Sequence, residues 1–107
     1  MTSVRENLIA AKALIDTPEK WGKGYGITPP TNCLCAESAC AEAAGSLQLL
    51  KMLSWEALEA ALPEPWRTRS IEEDMAAHHF NDHPDTTHAD IMALFDRAIA
   101  AQEPTND

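Results

Sequence analysis

Apolar residues recur every three or four positions along most of this chain, the spacing that places side chains on one face of an α-helix. The longest such stripe lies near the C-terminus and consists of Ile91, Leu94, Phe95, Ala98 and Ile99. Because this stripe is too apolar to be left in water, we expect it to lie in the core, or otherwise in a partner interface. No alternating run is long enough to predict a β-strand. The pattern therefore predicts an all-α fold, a compact single domain of four to five short helices.

Sequence signals for helix ends divide this pattern into segments. Two capping boxes predict helices that begin after Ser3 and Ser70, and the last helix is predicted to begin at Thr87. We expect the first helix to run to about Leu14, because the sequence Asp-Thr-Pro follows it. The glycine-rich stretch beyond is predicted to be an irregular loop, which Trp21 anchors to the core.

A segment of small residues lies between Asn32, which can cap a helix, and Gly45, which can end one. In a helix over residues 33–44, one face would carry Cys33, Ala36, Cys40 and Ala43. Because these side chains are all small, a neighbouring helix can approach closely. We expect this helix to be the central and most buried one.

Residues 47–62 are apolar at helical spacing and end at the Pro-Glu-Pro sequence of residues 63–65. The sequence leaves open whether they form one bent helix or two, because Ser54 can start a fresh turn. Further along, the chain is expected to turn over residues 81–84, Asn-Asp-His-Pro. Asn tolerates the left-handed conformation and Asp can accept hydrogen bonds from local N–H groups, so we assign both residues a structural role.

Length and composition fit a single small globular domain. A chain of 107 residues with 45% hydrophobic and 23% charged residues can bury one core without disulfide bonds or metal ions. We expect residues 1–102 to form one helical domain and residues 103–107 to be a frayed polar tail. No apolar run is long enough to span a membrane, Arg5 and Glu6 interrupt any signal peptide, and the odd number of cysteines suits a reducing compartment. The sequence predicts a cytoplasmic protein.

The net charge of −9 lies entirely in the second half of the chain. Residues 1–54 hold five acids and five bases, whereas residues 55–107 hold twelve acids and three bases. This balance argues against direct binding to nucleic acid or to anionic membranes and favours a basic protein partner. Five of the acids, Glu56, Glu72, Glu73, Asp74 and Asp90, are expected in first helical turns, where they stabilise the helix dipole. The candidate interaction residues lack that explanation and are Glu59, Glu64, Asp82, Asp85 and Asp96.

Three cysteines and four histidines supply the residue types that bind zinc. The candidate ligands are Cys33, Cys35, His79 and His83. In one helix, however, Cys33 and Cys40 would lie about 10.5 Å apart along the axis, and Cys35 would point away from the small-residue face. No spacing matches a zinc signature. We therefore predict no metal and no other cofactor, with the cysteines packed as small hydrophobic residues.

Signals for catalysis are also weak. A nucleophilic cysteine needs a base, and His78 supplies one only if the fold brings it to the cysteine helix. Gly22, Gly24 and Gly26 have neither a preceding strand nor a following helix that would form a phosphate-binding loop. These observations favour a protein without enzymatic activity.

The chain resembles an uncharacterised family of small bacterial and phage proteins. That family's pattern is a Trp, then C-x-x-G-A, then an aromatic residue with Asn-Asp, then a Thr-led terminal helix with a late Ala-Ile pair. The matching residues are Trp21, Cys33, Phe80, Asn81, Asp82, Thr87, Ala98 and Ile99. The chain departs from the pattern at Ala36, where the family has glycine, and in its additional Cys35 and Cys40. The resemblance implies a small helical fold and brings no known activity.

Three functional hypotheses follow from these observations. The leading one is a non-enzymatic helical module that binds another protein, with the acidic second half as the binding face. One alternative is a zinc domain that uses cysteine and histidine ligands. The other is an inhibitor of the kind phages encode, which presents carboxylates to a nucleic-acid-binding protein in place of phosphates.

Overall fold

The computed structural model describes residues 3–22, 27–28, 33–67 and 76–102. Within these ranges lie five α-helices: α1 (Val4–Leu14), α2 (Ala36–Ala44), α3 (Gln48–Ala60), α4 (Ala76–Asp82) and α5 (His88–Ala101). They are accompanied by a 3-10 helix (Pro18–Lys20) and by two two-residue strands, β1 (Ile27–Thr28) and β2 (Cys33–Leu34). The all-α class predicted from the sequence is confirmed. The predicted tail 103–107, the capping box at Ser70, the acids 72–74 and the loop glycines 24 and 26 lie outside the described residues.

Capping boxes fix the predicted starts of α1 and α5. The Ser3 hydroxyl accepts a hydrogen bond from the Glu6 N–H, and the Glu6 carboxylate accepts one from the Ser3 N–H. Thr87 and Asp90 form the same reciprocal pair at α5. The hydrogen bond from the Ser3 backbone lowers the pKa of the Glu6 carboxyl. The stabilisation is therefore present above the ordinary pKa of glutamate and is lost as pH falls through the lowered value.

Helix α2 begins three residues later than predicted, because the residues before it are used in strand pairing. Cys33 and Leu34 form β2, which pairs antiparallel with β1. Leu34 also bridges to Trp21, and its carbonyl accepts a 3.0 Å hydrogen bond from the Gly22 N–H. Backbone groups engaged in these extended pairings are not free to join a helix. The predicted helix start at Cys33 is wrong, since tertiary pairing outweighs the local capping signal of residue 32.

Cys35 occupies the N-cap of α2 as a result of this later start. Its sulfur accepts a hydrogen bond from the Ser38 N–H at 3.4 Å, and its thiol donates to the Ser38 hydroxyl at 3.3 Å. Cys35 therefore does not take the helical position opposite the small-residue face that was predicted for it, and it is only 1% exposed. The helix buries Ala36, Ala39, Cys40 and Ala44 and packs most extensively against α1, which confirms a buried small-residue helix.

Residues 48–60 form one continuous helix, α3, which settles the choice that the sequence leaves open. Ser54 lies in the middle of this helix, fully buried, and its hydroxyl accepts a 2.9 Å hydrogen bond from Nδ2 of Asn7. A buried hydroxyl with a partner is tolerated inside a helix, so Ser54 does not start a new turn. Glu56 consequently lies in mid-helix, and the prediction that it lies in a first helical turn is wrong.

Helix α4 extends through Asn81 and Asp82, so the turn predicted over residues 81–84 begins two residues too early. The chain turns at Pro84 and Asp85, where the Asp85 N–H donates to Nδ1 of His83 at 3.1 Å. Asn81 is a helical residue and is 1% exposed, so it does not act as a left-handed helix end. Its structural role comes from long-range hydrogen bonds instead.

The hydrophobic core lies where α1, α2, α3 and α5 meet. The terminal stripe supplies four fully buried side chains, Ile91, Leu94, Phe95 and Ala98, which confirms the core position predicted for it. Leu8 of α1 and Ile15, the C-cap of α1, are equally buried. Gly45 ends α2 with a φ of 63°, in the left-handed region that favours glycine.

Candidate interaction surface

The metal-ligand candidates predicted from the sequence occupy separate environments. Cys35 is buried at the N-cap of α2, and His79 is exposed on α4. His83 is half-buried beyond α4, with its ring centre 5.5 Å from that of Trp66. The side chain of Cys33 lies outside the described part of the chain. Among the described residues, no three His, Cys, Asp or Glu side chains form a group that could hold a metal ion.

Cys40 lies in the core without any exposed surface. Burial raises the pKa of the Cys40 thiol to about 12, and Cys35 and Glu37 add to the effect. The thiol is therefore protonated at neutral pH and is a poor nucleophile. The backbone carbonyl of Cys40 accepts a 3.3 Å hydrogen bond from Nδ2 of Asn7. This environment is that of a small hydrophobic residue.

Asn81 ties three parts of the fold together through its side-chain amide. Its Oδ1 accepts hydrogen bonds from Nε1 of Trp21 at 2.7 Å and from the backbone N–H of Ala36 at 3.1 Å. Its Nδ2 donates to the Gly22 carbonyl at 3.2 Å and to the Asp82 carboxylate at 3.0 Å. Both amide hydrogens and the oxygen are thus used within the protein. The amide anchors Trp21 and the first turn of α2.

Two of the five predicted interaction acids, Glu59 and Asp82, are half-buried and serve internal contacts. The Glu59 carboxylate accepts a 2.8 Å hydrogen bond from the Ala77 N–H of α4. Asp82 accepts the hydrogen bond from Asn81. Since a backbone N–H inside the fold needs an acceptor, this contact gives the Glu59 carboxylate an internal role.

The other three predicted acids, Glu64, Asp85 and Asp96, are exposed. Glu64 forms an ion pair with Arg67 at 3.1 Å, and Asp96 pairs with Lys12 at 2.7 Å. Exposed ion pairs of this kind contribute about 0–1 kcal/mol to stability. These carboxylates therefore remain available to a partner at little cost to the fold.

Large apolar side chains are exposed along the first half of α3. The exposed fractions are 54% for Leu47, 67% for Leu49, 55% for Met52 and 40% for Leu53. We call these four residues the α3 apolar face. Leu50 of the same segment is buried, so the apolar side chains extend from the buried side of this half-helix to its exposed surface. This surface is wider than the apolar stripe with which a helix covers a core.

A groove of about 650 Å³ adjoins the α3 apolar face. Ser3 and Val4 at the start of α1 line it, together with residues 46–50 and Leu53.

The sequence contained a signal for this face. Residues 47–53 read Leu-Gln-Leu-Leu-Lys-Met-Leu, with five apolar residues in two helical turns. A helix that covers a core on one side needs only three or four. The excess identifies a second apolar face, which an analysis of the inward stripe alone does not reveal.

The five helices and the α3 apolar face define a small all-α protein with an exposed apolar surface. Within the described ranges, no helix is both long and apolar enough to cross a bilayer. The chain belongs to a family of unknown function, DUF6197, whose family model matches residues 1–101. This membership confirms the resemblance noted from the sequence and carries no activity with it. No curated protein and no solved structure matches the chain.

Proposed function

We propose that this protein is a non-enzymatic protein-interaction module that acts in the cytoplasm. The observation that carries the proposal is the α3 apolar face, four large side chains that are 40–67% exposed. Fully burying one such side chain stabilises a complex by about 1.5–3 kcal/mol, so leaving all four in water is unfavourable. Exposed apolar patches of this kind mark interaction sites on soluble proteins.

Two of the cysteines, Cys35 and Cys40, are unsuited to catalysis or metal binding. Cys35 and Cys40 are 1% and 0% exposed, and the Cys40 thiol is protonated at neutral pH. Substrates and metal ions need accessible, deprotonated sulfur, whereas packing needs neither. The two side chains therefore suit a structural role.

The acidic second half supports a finer proposal about the partner. Its exposed carboxylates include Asp85, Asp90 and Asp96, and a field of this sign repels nucleic acid and attracts basic proteins. In this proposal the α3 apolar face makes a close contact, and the acidic surface attracts a basic protein. A complex formed through the acidic surface weakens as salt is raised, because the Debye length shortens to about 3 Å at 1 M.

Photo-crosslinking in a bacterial host tests the proposal. A photoreactive amino acid at Leu49, the most exposed residue of the face, is compared with the same amino acid at Ala93, an exposed position on α5. We expect ultraviolet light to produce a discrete covalent adduct from the Leu49 position and none from the Ala93 position. The proposal is overturned if the Leu49 position yields no adduct, or only the adducts seen at Ala93.

A further inference from the structure

We draw no further inference here: the strongest candidate, the surface patch formed by the α3 apolar face and its adjoining groove, belongs to the interaction site already proposed, and nothing in the described part of the chain shows what covers it.

Discussion

A single buried amide, that of Asn81, holds the Trp21 indole and the start of α2 in place. The sequence predicts a structural role for this residue, but in a turn. The structure places the side chain in the interior instead, where all its partners except Asp82 lie 45 to 60 positions away along the chain. Contacts at that separation leave no local signature, so the sequence could reveal the residue's importance but not its partners.

Replacing Asn81 with Ala should destabilise the protein strongly. The substitution leaves the Trp21 indole N–H and the Ala36 N–H without their acceptor, and an unsatisfied buried donor costs about 1–3 kcal/mol. We expect a total loss of about 3 kcal/mol in the free energy of urea unfolding. Trp21→Phe, which removes one of the two donors and keeps an aromatic ring, should cost less. A double variant whose loss is simply the sum of both single losses would contradict the proposed hydrogen bond.

Glu59 links two elements, because its carboxylate on α3 accepts a hydrogen bond from the Ala77 N–H in α4. The sequence suggested a surface acid available to a partner, since Ala77 is 18 positions away. If the contact is structural, Glu59→Ala should lower the free energy of unfolding by about 1 kcal/mol. Glu59→Gln, which keeps an acceptor oxygen, should lower it less.

Glu56→Ala is the matched control for this contact, because Glu56 is an exposed acid on the same helix. It should leave the midpoint of urea unfolding nearly unchanged. Equal effects of Glu56→Ala and Glu59→Ala would show that the Glu59 carboxylate does not hold α4.

At the scale of elements, the sequence correctly predicted the features that depend on residues close together along the chain. The helix starts at Ser3 and Thr87 and the buried stripe of α5 were predicted correctly, because each depends on residues three to eight positions apart. The start of α2 was predicted wrongly, since Leu34 pairs with β1 and with Trp21 and is not free to join the helix. Ser54 left the continuity of α3 undecided because its partner, Asn7, is 47 positions away.

At the scale of the whole molecule, charge and apolar exposure are divided between different surfaces. The charge imbalance is visible in the sequence and led to the expectation of an acidic binding face. The α3 apolar face emerged only when the structure showed which side of the helix the core uses. A core needs one side of α3, and nothing within the described residues covers the other. We therefore propose that apolar side chains make the close contact with a partner protein and that carboxylates attract this partner over a distance.

The central claim is that this protein makes its contacts through the α3 apolar face. The most direct measurement is photo-crosslinking from each position of this face in turn, Leu47, Leu49, Met52 and Leu53, beside the exposed positions Asp85 and Ala93. We predict a discrete covalent adduct from the four apolar positions and none from Asp85 or Ala93. Adducts from Asp85 alone, or none from the apolar positions, would contradict the claim.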